Sequence, residues 1–136
     1  MARSGSDRQL ISSGSPYEAR YGYSRAVRAG NLVAVAGTTG TGPDGKVVAP
    51  GDAYLQAKRA LAIIERALQE AGASLQDVVR TRLFLTDMSK YEDVLRAHGE
   101  VFGQIRPAAS LIGVPALIDP EMLIEIEADA VIAEPR

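Results

Sequence analysis

Between Leu123 and Ile132 the chain alternates strictly. Ile124, Ile126, Ala128 and Ala130 are separated by Glu125, Glu127 and Asp129. Successive side chains of a strand point to opposite faces, so a period of two puts the apolar groups on one side and the three carboxylates on the other. A helix would scatter both sets around its axis. The segment therefore reads as a strand with one face against a core, and other elements must supply the cover for that face.

Two segments have the spacing to do so. From Asp52 to Ala71, the residues Leu55, Ala57, Ala60, Leu61, Ile64, Ala67 and Leu68 recur at helical intervals. Asp52 is a helix-capping residue type and Gly72 a stop. A second helix is expected from Ser89 to Phe102, with Tyr91, Val94, Leu95, Val101 and Phe102 as its apolar set and Ser89 to Glu92 as a capping box. Four further regions have strand character. Ser24 to Arg28 and Asn31 to Thr38 read as a hairpin across Ala29-Gly30-Asn31. Val78 to Thr86 places Val79, Thr81, Leu83 and Leu85 on one face, and Ser110 to Val114 follows the second helix.

The order β-β-α-β-α-β-β makes a two-layer α+β domain, a mixed sheet packed on two helices. The second sheet face also has apolar residues, and homo-oligomerisation is the simplest cover for it. No repeat or linker divides the 136 residues, so one domain is expected over 1–136, with residues 1–10 flexible.

Composition removes several function classes. There is no cysteine, so disulfides, thiolate metal sites and a cysteine nucleophile are all excluded. His98 is the only histidine, which rules out a multi-histidine metal site within one chain, and it reads as a solvated helix residue. A net charge of -2, two Phe and no Trp provide neither a basic patch nor a stacking platform for nucleic acid. No apolar run reaches the roughly 18 residues that span a bilayer, and the polar start lacks a secretory signal. The expectation is a cytoplasmic protein with no membrane or nucleic-acid partner.

Five motifs in order point further. They are Gly22-Tyr23-Ser24-Arg25-Ala26-Val27, Gly30 to Gly37 (GNLVAVAG), Ala71 to Val79 (AGASLQDVV), Phe84-Leu85-Thr86-Asp87-Met88, and Ile124-Glu125-Ile126-Glu127-Ala128. Together they resemble the RidA (YjgF/YER057c) family, small proteins that hydrolyse reactive enamines and imines. The resemblance implies a chorismate-mutase-like homotrimer with small-molecule clefts between subunits, and no metal or cofactor. It places Tyr23 beside the substrate as an orienting phenol. It makes Glu125 the carboxylate that holds substrate or an attacking water, although pattern alone reads Glu125, Glu127 and Asp129 as a solvated strand face. Gly37 would offer its backbone to the ligand.

The chain also departs from the family. Deaminases of the family read R-P-A-R-S, where the second Arg grips the substrate carboxylate. This chain reads Arg106-Pro107-Ala108-Ala109-Ser110. Ala36 stands where the family has a serine hydroxyl. Arg25 replaces the usual Gln and shares the strand face of Tyr23, so it is a candidate for the missing cation; Arg82 and Arg106 are others. Between Ala109 and Glu125 there is one residue more than the usual spacing, and Leu111, Ile112 and Met122 suggest an apolar pocket.

Three readings follow. One is a hydrolase of the enamine/imine deaminase type with altered substrate choice, using Glu125 and Tyr23 as catalytic groups and Gly37, Ala36, Arg25, Ala109 and Ser110 as the binding surface. Another is a metabolite-binding or regulatory trimer that kept the cleft without the chemistry. The third is a specialised catabolic deaminase, with endoribonuclease activity the least favoured.

Overall fold

The computed structural model describes residues 7–133. A six-stranded sheet is formed by β1 (Arg8–Ile11), β2 (Ala26–Ala29), β3 (Leu32–Thr39), β4 (Val78–Leu85), β5 (Ala108–Gly113) and β6 (Ile124–Val131). Their order across the sheet is β1-β2-β3-β6-β4-β5. Only β4 and β5 run parallel; every other pairing is antiparallel. Helices α2 (Ala53–Glu70) and α3 (Tyr91–Phe102) pack together over one face, and a short α1 (Pro16–Tyr21) joins β1 to β2.

The alternation in β6 does what its period requires. Ile124, Ile126, Ala128 and Ala130 are buried, while Glu125, Glu127 and Asp129 lie on the opposite face. β6 occupies the middle of the sheet, paired with β3 on one edge and β4 on the other. The apolar stripe of α2 (Ala57, Ala60, Leu61, Ile64, Ala67 and Leu68) closes over the buried side. Asp52 caps this helix by accepting from the Leu55 N–H at 2.9 Å. The hairpin turn is Gly30-Asn31, and Gly30 has a φ of 63°, the left-handed conformation such a two-residue turn needs.

Two elements precede the expected order. β1 pairs with β2 where the polar start predicts a flexible segment; of residues 1–10, 1–6 lie outside the described residues, and Arg8, Gln9 and Leu10 belong to this edge strand. Helix α1 starts at Pro16 with Ser15 as its cap. Neither has the length for a detectable period.

Four local expectations change. Leu55 is 47% exposed, and Gln56 takes the inward position beside it. Val79 is 49% exposed, because the β4–β6 register slips between Val78 and Arg80; Val78 is buried instead. The second helix is capped differently: Asp87 accepts from the Ser89 N–H at 3.0 Å over a short 3-10 turn, and α3 proper begins at Tyr91. His98 is not a solvated residue. Its Nε2 lies 2.9 Å from the Thr81 hydroxyl, its ring packs on Phe102, and burial lowers its pKa.

Gln56 is wholly buried, and its amide is shared among three backbone groups. Nε2 donates to the Ala49 carbonyl at 3.3 Å and the Glu121 carbonyl at 3.0 Å, while Oε1 accepts from the Leu123 N–H at 2.9 Å. One side chain thus ties the loop before α2 to the loop that enters β6. Replacing it with an apolar residue leaves three part-buried backbone groups without this partner, each costing up to about 1–3 kcal/mol. Gln56→Leu is expected to lose at least ~2 kcal/mol in urea denaturation. A loss below about 0.5 kcal/mol would show that the loops hold without it.

Candidate functional site

The face of the sheet away from the helices is uncovered within one chain. Leu10, Leu32 and Val131 are exposed on it, beside the three acids of β6. Arg82, from β4, reaches Glu127 and Asp129 equally, with its Nη1 3.5 Å from an oxygen of each. One cation is thus shared between two carboxylates at this end of the acidic row.

The other end is different. The β3–β6 register slips between Val35 and Thr38, so Ala36 and Gly37 together oppose Glu127. Such a bulge leaves backbone uncommitted to the ladder and turns two successive residues toward one region. Glu125 lies across it. A Cβ built on Gly37 would overlap Oε2 of Glu125 and sit 2.8 Å from its Cδ. Only glycine leaves space for the carboxylate to rest against the β3 backbone. Burial raises the Glu125 pKa, the neighbouring Glu127 raises it further, and Arg25 acts in the opposite direction.

Arg25 enters from the segment before β2. Its backbone is fixed on both sides: its N–H donates to Ile11 at 2.9 Å, and its carbonyl accepts from Ala36 N–H at 3.0 Å. Its Nη2 donates to the Gly37 carbonyl at 2.5 Å. Tyr23, two residues earlier, is 43% exposed and lines a shallow groove with Val27, Ala34, Ala36, Glu127 and Asp129. Tyr23, Arg25, Ala36, Gly37 and Glu125 therefore come together around the bulge. Tyr17 and Tyr21 stay outside as an exposed stacked pair under Arg20.

Glu18 belongs to this neighbourhood, and nothing in the sequence marked it. It is buried on α1, with Oε2 accepting from the Ser13 N–H at 2.9 Å and the Ser13 hydroxyl at 2.5 Å. Burial would raise its pKa, but those bonds and the Arg25 charge hold it below the ordinary value.

Ala109 and Ser110 do not join the group within one chain. They lie on the edge strand β5, with β6 and β4 between it and β3, a span of about three strand spacings or ~14 Å. Ala109 is paired with Thr81, whose hydroxyl faces α3, so Ala109 lies on the helix side of β5. Ser110 is paired with Arg82 on the acidic side. Leu111 packs against the core instead of lining a pocket, because it shares the face of its partner Leu83. Among the described residues there is no metal-ligating cluster and no helix long and apolar enough to cross a membrane.

Residues 14–132 match the family described as Endoribonuclease L-PSP. The chain belongs to this family. It is the YjgF/RidA group that the five motifs resemble, and several relatives agree. An uncharacterised protein of Streptomyces coelicolor is 39% identical over 120 residues, covering 88% of this chain and 89% of the relative. The 3-aminoacrylate deaminase RutC of Acinetobacter baylyi is 36% identical over 104 residues, covering 76% and 82%. A solved Mycobacterium tuberculosis member of the YjgF/YER057c/UK114 family is 51% identical, with a TM-score of 0.83 over 92% of this chain and 99% of that one. The mixed sheet and its helices are thus the YjgF/L-PSP fold.

The bulge gives a direct test of the site. In Gly37→Ala the added methyl must displace the flexible carboxylate, not the backbone, so the fold is expected to survive with its melting temperature changed by only a few degrees. The Glu125 carboxyl, followed by 13C NMR, is expected to titrate closer to its ordinary value once driven into solvent. An unchanged Glu125 titration would mean that the carboxylate does not rest on Gly37.

Proposed function

We propose that this L-PSP family member is an imine or enamine hydrolase of altered substrate choice, acting on a small molecule in a cleft between subunits. The observation that carries the reading is Glu125 lying over Gly37 in a half-buried setting that raises its pKa. A carboxylate tuned upward is better matched to proton transfer near neutral pH than a solvated one. Glu125 would take a proton from a water as its oxygen adds to the imine carbon. The resulting carbinolamine collapses to a carbonyl compound, and the proton leaves with the ammonia. The Gly37 N–H would polarise the imine, and the Tyr23 hydroxyl would orient it. The relative named 3-aminoacrylate deaminase supports the reaction class.

A homotrimer is part of the proposal. The exposed apolar residues beside the acids need a cover. A neighbouring copy would also bring an edge strand such as β5, with Ala109 and Ser110, to a site it cannot reach within its own chain. RNA fits this surface poorly, since Glu125, Glu127 and Asp129 would face its phosphates. Ala109 favours one alternative, a trimer that binds a metabolite without turning it over.

The test is the decay of 2-imino acids, generated by an amino-acid oxidase, with and without the protein. Glu125→Gln is expected to lower kcat by about 100-fold or more. In the wild type the base works only when ionised, so rate rises with pH. Because burial first and Glu127 second raise the Glu125 pKa, that limb is expected above the ordinary carboxylate range, and Glu127→Gln is expected to move it down. No acceleration of any 2-imino acid or enamine would leave the binding alternative in its place.

A further inference from the structure

Two carboxylates are buried among the described residues, Asp77 and Glu18. Asp77 has a local role: it closes the capping box of the turn before β4, accepting from the Ser74 N–H at 2.9 Å. Glu18 stands in a different setting. Residues 12–25 leave the sheet after β1 and return at β2, and the Arg25 N–H donates to the Ile11 carbonyl at 2.9 Å, closing the loop at its base. Within 12–25 Glu18 is the one buried residue. The loop therefore has no apolar anchor in the core. Its helix, α1, has six residues, too few to hold its shape without outside contacts. What fixes this loop has to be polar.

Glu18 grips both limbs of it. On the incoming limb its Oε2 accepts from Ser13, from the N–H at 2.9 Å and from the hydroxyl at 2.5 Å. Hydrogen bonds to an ionised carboxylate are stronger than those between neutral groups. On the outgoing limb its backbone carbonyl accepts from the Gly22 N–H at 2.9 Å and the Tyr23 N–H at 3.0 Å. Gly22 makes this possible. With a φ of 78° and a ψ of 38° it turns the chain so that two successive N–H groups converge on one carbonyl. Tyr23 enters its groove from that point. Its side chain is 43% exposed, so packing alone leaves its direction open and the held backbone sets where it starts.

A leucine at position 18 would fill similar space but could bond neither donor of Ser13. A buried carboxylate is costly unless its oxygens are bonded. Here both Ser13 donors meet it, and the Arg25 charge acts on it favourably from the base of the loop. Glu18 does not itself line the groove. We infer that Glu18 is a positioning residue, which ties Ser13 to Tyr23 across the loop and so fixes the phenol at the groove beside the bulge. What the phenol then does rests on the hydrolysis proposed above; the tie that holds it does not.

The experiment uses the full-length protein labelled with 3-fluorotyrosine, the 19F line of Tyr23 being assigned by its loss in Tyr23→Phe. Glu18→Ala is expected to move that line toward the position of free 3-fluorotyrosine. The Gly22 and Tyr23 amides are expected to exchange about tenfold faster or more, with those of Ile126 and Ala128 in β6 unchanged. Glu18→Gln keeps an acceptor oxygen for Ser13 and is expected to restore most of the wild-type line position. In the 2-imino acid assay Glu18→Ala is expected to lower kcat about tenfold, with KM changed by less than about twofold. In a Tyr23→Phe background the same substitution is expected to cost less than about twofold, since its effect runs through the phenol. A loss that multiplies fully with that of Tyr23→Phe, or a Tyr23 line and amides that stay at their wild-type values, overturns the inference. Should Glu18→Ala fail to fold, Ser13→Ala, which removes one of the two donors, is read by the same line, amides and double-variant comparison. Turnover with a fully multiplicative loss removes this inference alone. No turnover by the wild type, with the line and amides responding as expected, removes the proposed reaction and leaves the tie to Tyr23 standing.

Discussion

The double pairing of β6 is the constraint from which the site follows. Because β3 and β4 both hydrogen-bond to it, its backbone is satisfied and its side chains must divide between two faces. The isoleucines and alanines go to the helices, and the acids have no other place than the open face. A carboxylate there cannot choose full solvation. It is held against whatever the neighbouring strand presents, and at the bulge β3 presents a glycine. The raised pKa of Glu125 is therefore a consequence of sheet geometry before it is a property of a site.

Support for that geometry comes from inside the helical layer. Gln56 accepts from the Leu123 N–H, two residues before Glu125, and donates to Glu121 and Ala49. A polar side chain in the core is normally a cost. Here it fixes where the strand begins, and a slip of one residue would exchange the acids with the isoleucines.

Much of the fold was legible in the residues because long periodic segments speak for themselves. β3, β4, β6, α2 and α3 all carry their pattern over eight or more residues. What escaped was decided by single interactions. Leu55 and Gln56 are adjacent, and hydrophobicity favours burying Leu55; three backbone partners bury Gln56 instead. Val79 follows the alternation on paper, and a register slip turns it outward. His98 looks solvated until Thr81 is seen to face it. β1 and α1 are too short to show a period. In the site, Tyr23, Gly37 and Glu125 were visible only through the family motifs, since a lone Tyr, Gly or Glu carries no pattern. Glu18 had no motif to announce it.

The location of Ala109 has an evolutionary meaning. It sits on β5, an edge strand hydrogen-bonded to one neighbour, and it is exposed. Neither the core nor a helix cap depends on which side chain stands there. A lineage could exchange arginine for alanine, or the reverse, with little effect on whether the chain folds. The edge strand is thus a place where a side chain can change without the architecture first having to be repaired.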